Sequence, residues 1–129
     1  MKLESITDVF FDLDHTLWDF DRNSALAFRK IFKINNIDIN LDDFLSEYEE
    51  INLQYWKLYR DEKIDKVVLR FGRLNDTFLR LNYSVEKEII QKLSVDYITC
   101  LTDNNYLYKD AETILKYLFK NYNLHILSN

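Results

Sequence analysis

With no proline and a single glycine, Gly72, in 129 residues, this chain has almost none of the residues that set sharp reversals. Glycine reaches positive φ without steric cost and proline presets the first corner of a turn, so their scarcity disfavours many short strands joined by tight hairpins. Helices linked by polar loops are favoured instead. The apolar pattern agrees. Phe44, Tyr48, Ile51, Tyr55 and Leu58 recur at intervals of three and four, as do Val67, Phe71, Leu74, Phe78 and Leu81. Ile89, Ile90, Leu93, Tyr97 and Leu101 make a third stripe, and Ala25, Phe28, Ile31, Phe32 and Asn35 precede them all. Each set lies along one side of a helix. Asp21, Asp65 and Ser84 stand where N-caps are wanted, Leu41-Asp42-Asp43 opens a helix, and Asn35-Asn36 ends one. Consecutive amphipathic helices with no strand between them must pack on one another, so residues 21–104 are expected to form a helical bundle.

Two apolar runs bracket that bundle. Val9-Phe10-Phe11, rich in β-branched and aromatic residues, reads as a buried strand, and Leu124-His125-Ile126-Leu127 as a second. Between the bundle and the second run, Asp110 caps a helix expected to turn Ile114, Leu115, Leu118 and Phe119 inward. The first strand delivers Asp12 and Asp14, and the second delivers Ser128-Asn129. In open parallel sheets ligands bind beyond the C-terminal ends of the strands. Asp12 and Asp14 are two apart and on an extended chain would point the same way. Two carboxylates in one crevice repel unless a cation or a shared proton neutralises them, and Mg²⁺ is the simplest cation. One carboxylate can attack an electrophilic phosphorus while the other protonates the leaving oxygen and then deprotonates water. Asp12 is assigned as nucleophile and Asp14 as acid/base.

Asp12-Leu13-Asp14-His15-Thr16-Leu17 after an apolar strand resembles the first motif of haloacid dehalogenase (HAD) superfamily hydrolases. The following Trp18-Asp19-Phe20-Asp21 is similar, more particularly, to the branch of pyrimidine 5′-nucleotidases and related phosphatases. The resemblance implies that Asp12 is the nucleophile, that Asp14 is the acid/base, and that Asp12 and the main-chain carbonyl of Asp14 hold Mg²⁺. It implies a loop-stabilising Thr16, and a Ser128 whose hydroxyl grips the transferring phosphoryl group beside Asn129. Trp18, directly after the acidic loop, is the candidate to stack a base; Tyr55 and Trp56 read as core. The implied fold class is α/β: a partial HAD-like (Rossmann-like) core over residues 1–20 and 105–129, with an α-helical bundle cap inserted at 21–104. The implied function is Mg²⁺-dependent hydrolysis of a phosphomonoester through an aspartyl-phosphate, the substrate being a nucleoside monophosphate. Family members continue past the second motif through a Lys and an acidic motif, so this chain is expected to be a truncated piece, inactive in isolation. The competing readings are an inactive fragment, a phosphorylatable Mg²⁺-binding module, and a phosphosugar mutase or phosphatase of the same superfamily.

A net charge of −5 argues against a nucleic-acid polymer or an anionic membrane as partner, since both reward clustered Lys and Arg. A small phosphorylated substrate remains compatible, and a homo-oligomer stays open. No apolar run is long enough to span a bilayer and none forms a signal-peptide core, which makes the cytoplasm the expected compartment. The single cysteine, Cys100, reads as a small buried hydrophobe. Arg70, Arg73 and Arg80 flank the third stripe-bearing helix and read as a solvated basic face. His15 and His125 stay outside the expected site, His125 as a packing or partly exposed strand residue.

Overall fold

The computed structural model describes residues 3–128. Its elements run β1 (Asp8–Asp12), α1 (Phe20–Ile34), α2 (Leu41–Arg60), α3 (Lys66–Arg80), α4 (Lys87–Cys100), a short 3-10 turn (Leu101–Asp103), α5 (Ala111–Phe119) and β2 (Asn123–Leu127). The α/β class is therefore borne out: a mostly helical chain with a small parallel sheet of β1 and β2. The chain divides into two units, residues 1–24 with 104–129, and residues 25–103.

The helices of the second unit stop without glycine. Asn36, Glu62 and Asn82 take left-handed backbone conformations, with φ of 54°, 58° and 53°. In each case the next residue donates its N–H to a carbonyl five positions back: Ile37 to Phe32, Lys63 to Leu58 and Tyr83 to Phe78, at 2.9, 2.9 and 3.0 Å. This is the Schellman closure, in which the left-handed residue is most often glycine; asparagine tolerates it and glutamate does so at a cost. At the N-termini, Asn40 accepts from the Asp43 N–H at 3.0 Å and Asp65 from the Val68 N–H at 2.8 Å. Two expected caps fall elsewhere. Helix α1 starts one residue before Asp21, and Asp19 receives the Arg22 N–H at 3.2 Å. Asp21 instead sits in the first turn, where a negative charge suits the helix dipole. Helix α4 starts at Lys87, with Glu86 rather than Ser84 at the cap and no side-chain cap bond. Asp110 does occupy the cap position of α5, at φ 68°, also without a side-chain bond.

Phe28 is the hub of the 25–103 unit. It is fully buried, and its ring meets Phe32, Phe44, Tyr48 and Tyr97 with centroids 5.7, 5.0, 4.8 and 4.4 Å away. Ile31, Leu74, Phe78, Ile90 and Leu93 complete the same cluster. One stripe is offset from its expected position: Val67 is 74% exposed, and Leu69 takes its place inside with Leu74, Thr77 and Phe78. Cys100 is half-buried at the end of α4, and burial raises its thiol above the ordinary value.

The only glycine lies inside a helix. A Cβ built on Gly72 would meet the Tyr55 ring, 2.6 Å from Cζ, and that ring is held by a 2.6 Å hydrogen bond from its hydroxyl to Asp76. Gly72→Ala gains about 1 kcal/mol of helix propensity but must displace the ring and lose a charge-assisted hydrogen bond of about 1.5–3 kcal/mol. A net destabilisation of about 1–2 kcal/mol is expected by urea titration. In a Tyr55→Ala background the same change should become stabilising, and a Gly72→Ala effect unchanged by that background would refute the steric account.

Burial pushes the Tyr48 hydroxyl far above the ordinary tyrosine value, and burial followed by the Asp76 hydrogen bond pushes Tyr55 up to about 12. A phenol whose folded pKa is raised contributes stability that is complete below about pH 10, the unfolded value, and is lost as pH rises through the folded value. Tyrosinate absorbance in an alkaline titration should therefore show a late group of tyrosines, Tyr48 and Tyr55 among them, ionising together with loss of helix. Tyr48→Phe and Tyr55→Phe should each remove one of them. Ionisation of all tyrosines before the helix melts would contradict this.

In the first unit, β1 and β2 pair in parallel with Asp8 opposite Asn123, Phe10 opposite His125 and Asp12 opposite Leu127. The expectation of a buried strand needs correcting: Val9 and Phe11 are half-buried while Asp8, Phe10 and Asp12 are exposed. A two-stranded sheet lying against one short helix is covered on a single face, so alternate residues stay in water. For the same reason Ile114 and Phe119 of α5 are exposed, and only Leu115 and Leu118 are half-buried beside buried Ala111. His125 is exposed, stacks on Phe10 at 4.6 Å and contacts Asp8 Oδ1 through Nε2 at 2.8 Å. Among the described residues no helix is long and apolar enough to cross a membrane.

Candidate active site

Parallel pairing in register brings the C-terminal ends of β1 and β2 level. Asp12 is the last residue of β1, opposite Leu127, so Ser128 emerges at the same end. Asp12 and Ser128 line one cavity of about 400 Å³ with Phe10, Phe11 and Leu127. Both side chains are exposed, and among the described residues the Asp12 carboxylate has no ion pair or side-chain hydrogen bond. Asn129 lies outside the described residues.

Asp14 is placed differently from expectation. The strand ends at Asp12, so period-two alternation does not extend to Asp14, which is half-buried and bridged through its backbone to Trp18. Beyond Asp12 the chain folds into a closed turn. The Leu13 carbonyl accepts the N–H groups of Thr16, Leu17 and Trp18 at 3.3, 3.0 and 2.9 Å, and the His15 N–H donates to the Trp18 carbonyl at 3.1 Å. His15 takes φ 64° within it, and Leu17 is its buried member, 7% exposed. Thr16 is an exposed member of this turn. Trp18 is half-buried, its indole N–H donating to Asn105 Oδ1 at 3.2 Å and its ring set edge-on to Phe20. Phe20 in turn lies 5.1 Å from the His15 ring.

A second strut was not foreseen from the sequence. Asn23 is fully buried, its amide donating to the Tyr106 carbonyl and accepting the Tyr106 N–H, both at 3.0 Å. The Asp19 N–H donates to the same carbonyl at 2.9 Å, the Tyr108 N–H to the Leu17 carbonyl at 3.0 Å, and the Arg22 guanidinium lies 3.6 Å above the Tyr106 ring. The acidic loop is thus clamped by residues 105–108. An asparagine on the inner side of a helix's first turn is a hint of such a role, but nothing local names its partner 83 positions away.

The donor set suits a hard cation. Asp12 offers an unpaired carboxylate and Asp14 a main-chain carbonyl, and Mg²⁺ is commonly bound by one or two carboxylates plus substrate phosphate and water. Among the described residues no cluster of three or more His, Cys, Asp or Glu side chains completes a metal cage. The chain's own contribution is therefore a partial shell.

No family model matches the chain. YfnB of Bacillus subtilis (strain 168), assigned as a HAD-hydrolase, is 24% identical over 121 residues, covering 94% of this chain and 50% of that protein. The pyrimidine 5′-nucleotidase YjjG of Escherichia coli (strain K12) is 31% identical over 74 residues, covering 57% of this chain and 32% of that protein. Among solved structures, a magnesium-bound orthorhombic crystal form of YfnB, described as revealing interdomain movement, superposes with a TM-score of 0.84 at 24% identity, covering 96% of this chain and 53% of that one. The defluorinating L-2-haloacid dehalogenase Rha0230 superposes at 0.65 and 13% identity, covering 96% of this chain and 51% of that one. The chain thus has a HAD-like α/β fold with a helical cap. It spans about half the length of YfnB.

Proposed function

We propose that this chain belongs to a Mg²⁺-dependent phosphomonoester hydrolase that works through an aspartyl-phosphate on Asp12 and acts on a nucleoside monophosphate. The carrying observation is that Asp12 and Ser128, from strands far apart in sequence, line one cavity at the same end of a parallel pair. An Asp12 carboxylate oxygen attacks phosphorus as the ester P–O bond breaks, and the leaving alkoxide takes a proton from the Asp14 carboxylic acid. The Asp14 carboxylate then accepts a proton from the water that attacks the phosphorus, releasing phosphate and restoring Asp12. The Ser128 hydroxyl donates to a phosphoryl oxygen, and Asn129, next in sequence, assists it. Thr16 belongs to the turn that fixes Asp14. Mg²⁺, held by Asp12 and the Asp14 carbonyl, would neutralise charge on the phosphoryl group. Likeness to a pyrimidine nucleotidase and the mutually packed His15, Phe20 and Trp18 rings of the loop that follows Asp14 in sequence support a nucleobase in the substrate.

Release of phosphate from pyrimidine and purine nucleoside 5′-monophosphates and from sugar phosphates, with and without Mg²⁺, tests the proposal beside halide release from a 2-haloacid. Mg²⁺-dependent release that favours the nucleotides is expected. Halide release without phosphate release would replace the reading with carbon–halogen chemistry, and a preference for sugar phosphates would remove the nucleotide.

A further inference from the structure

Among the described residues two polar side chains are wholly withdrawn from water, Thr77 and Asn23. Thr77 returns its hydroxyl to the Arg73 carbonyl one turn back on its own helix, at 2.6 Å. Asn23 reaches across 83 positions to Tyr106. A carboxamide carries a donor and an acceptor side by side, as a peptide group does. Here it meets both main-chain groups of Tyr106 at 3.0 Å, so it acts as a single rung of sheet. Leucine would fill the same space and orphan the Tyr106 N–H. Aspartate would keep that N–H and set a carboxylate against the carbonyl. A buried group left unpaired in either way is costly, which singles out asparagine.

Tyr106 begins a relay of main-chain bonds that ends at the acid/base. Its carbonyl also takes the Asp19 N–H, the Tyr108 N–H reaches the Leu17 carbonyl, and Leu107 pairs antiparallel with Trp18. Trp18 pairs in turn with Asp14, and its carbonyl takes the His15 N–H. Asp14 lies past the end of β1, beyond the ladder that fixes Asp12. Among the described residues no side chain holds the Asp14 carboxyl group, so its place follows from its main chain.

We propose that Asn23 is a positioning residue for the general acid: through Tyr106 and Trp18 it sets where the Asp14 carboxyl group meets the leaving oxygen. What Asp14 does there rests on the hydrolase reading; that Asn23 holds it does not. A reacting group displaced by about 1 Å loses on the order of 10²-fold in rate. The loss falls on leaving groups that need a proton. A nucleoside alkoxide needs one, whereas nitrophenolate departs readily without it.

The test compares single-turnover release of nucleoside from a nucleoside 5′-monophosphate with that of nitrophenolate from para-nitrophenyl phosphate, using the complete hydrolase and Mg²⁺. Asn23→Leu should slow nucleoside release by about 10²-fold and nitrophenolate release much less. Equal slowing of both, the mark of a smaller folded fraction, would overturn the proposal. In Asn23→Asp a protonated carboxyl group presents an O–H and a C=O where the amide stood. Burial raises the pKa of that carboxyl group, so nucleoside release relative to wild type should recover as pH falls, without recovery in Asn23→Leu. If Asn23→Leu does not fold, this pH-dependent recovery decides. A second arm needs no turnover: in ¹⁵N-labelled protein without Mg²⁺, Asn23→Leu should move the Trp18 indole and Asp14 amide resonances, and Asn23→Asp should restore them at low pH. Resonances that stay in place overturn the proposal whatever the activity. Resonances that move in a protein whose wild type releases no phosphate leave Asn23 holding Asp14 and end the hydrolase reading instead.

Discussion

Asp12→Asn should eliminate the burst of nitrophenolate that the hydrolase to which this chain is proposed to belong is expected to release from para-nitrophenyl phosphate with Mg²⁺ in a single turnover. The burst counts P–O bonds broken per molecule before any intermediate is hydrolysed, so it isolates the step in which Asp12 acts. An amide oxygen is too weak a nucleophile to replace the carboxylate, and loss of a covalent nucleophile commonly costs on the order of 10⁴–10⁶ in rate. Asp12 lies exposed at a strand end with no side-chain partner among the described residues, so the change should leave the fold intact. Ser128→Ala removes one donor to the phosphoryl group and should slow the same burst by about 10²–10³. A full burst from the Asp12→Asn protein would end the aspartyl-phosphate mechanism, whatever the substrate.

The largest effect on stability is expected from Phe28→Ala. Phenylalanine-to-alanine changes in a core cost about 3–5 kcal/mol, the lost transfer energy plus a cavity the surroundings only partly fill. Phe28 should fall at the upper end because four aromatic rings pack on it and collapse of any one would disturb the others. Against the total of about 5–15 kcal/mol typical of a domain, that is enough to bring the helical unit near its unfolding threshold. Urea denaturation followed by helical circular dichroism checks it. A loss under about 1 kcal/mol would mean that the ring cluster is not the cohesive centre of the unit.

Short-range chemistry decides what is legible in this sequence. Asp65 is readable as a cap because a carboxylate three residues before a free N–H has one good partner. Asp12 and Ser128 are readable as a pair because each lies just past an apolar run, although their shared cavity is a fact of the parallel register. Asp21 reads wrongly as the cap of α1 because Asp19 and Asp21 offer the same carboxylate and the choice is made by Tyr106, distant in sequence, which fixes where the chain enters the helix. Val67 reads as inside because one rotation of the stripe about α3 fits the apolar residues nearly as well as another. Arg73 reads as solvated because charge alone argues for water, and only packing on Tyr48 and Tyr97 reverses that. The period-two argument for Asp14 fails because it assumes extended chain beyond the last paired residue.

Helix termination in the 25–103 unit carries a consequence for how this sequence can drift. At Asn36 and Asn82 the turning residue is succeeded by Ile37 and Tyr83, which both pack against the core, and their N–H groups close the turn. The information that stops the helix is therefore spread over two positions, and the more demanding of the two is the apolar one. Asparagine can be exchanged for glycine there with little disturbance, whereas a polar residue one step later would release the chain from its anchor. At Glu62 the next residue is Lys63, exposed and without that anchor, so this corner is the most free to change in sequence and in length. The sole glycine, meanwhile, serves a tyrosine ring, and none of the turns depends on it.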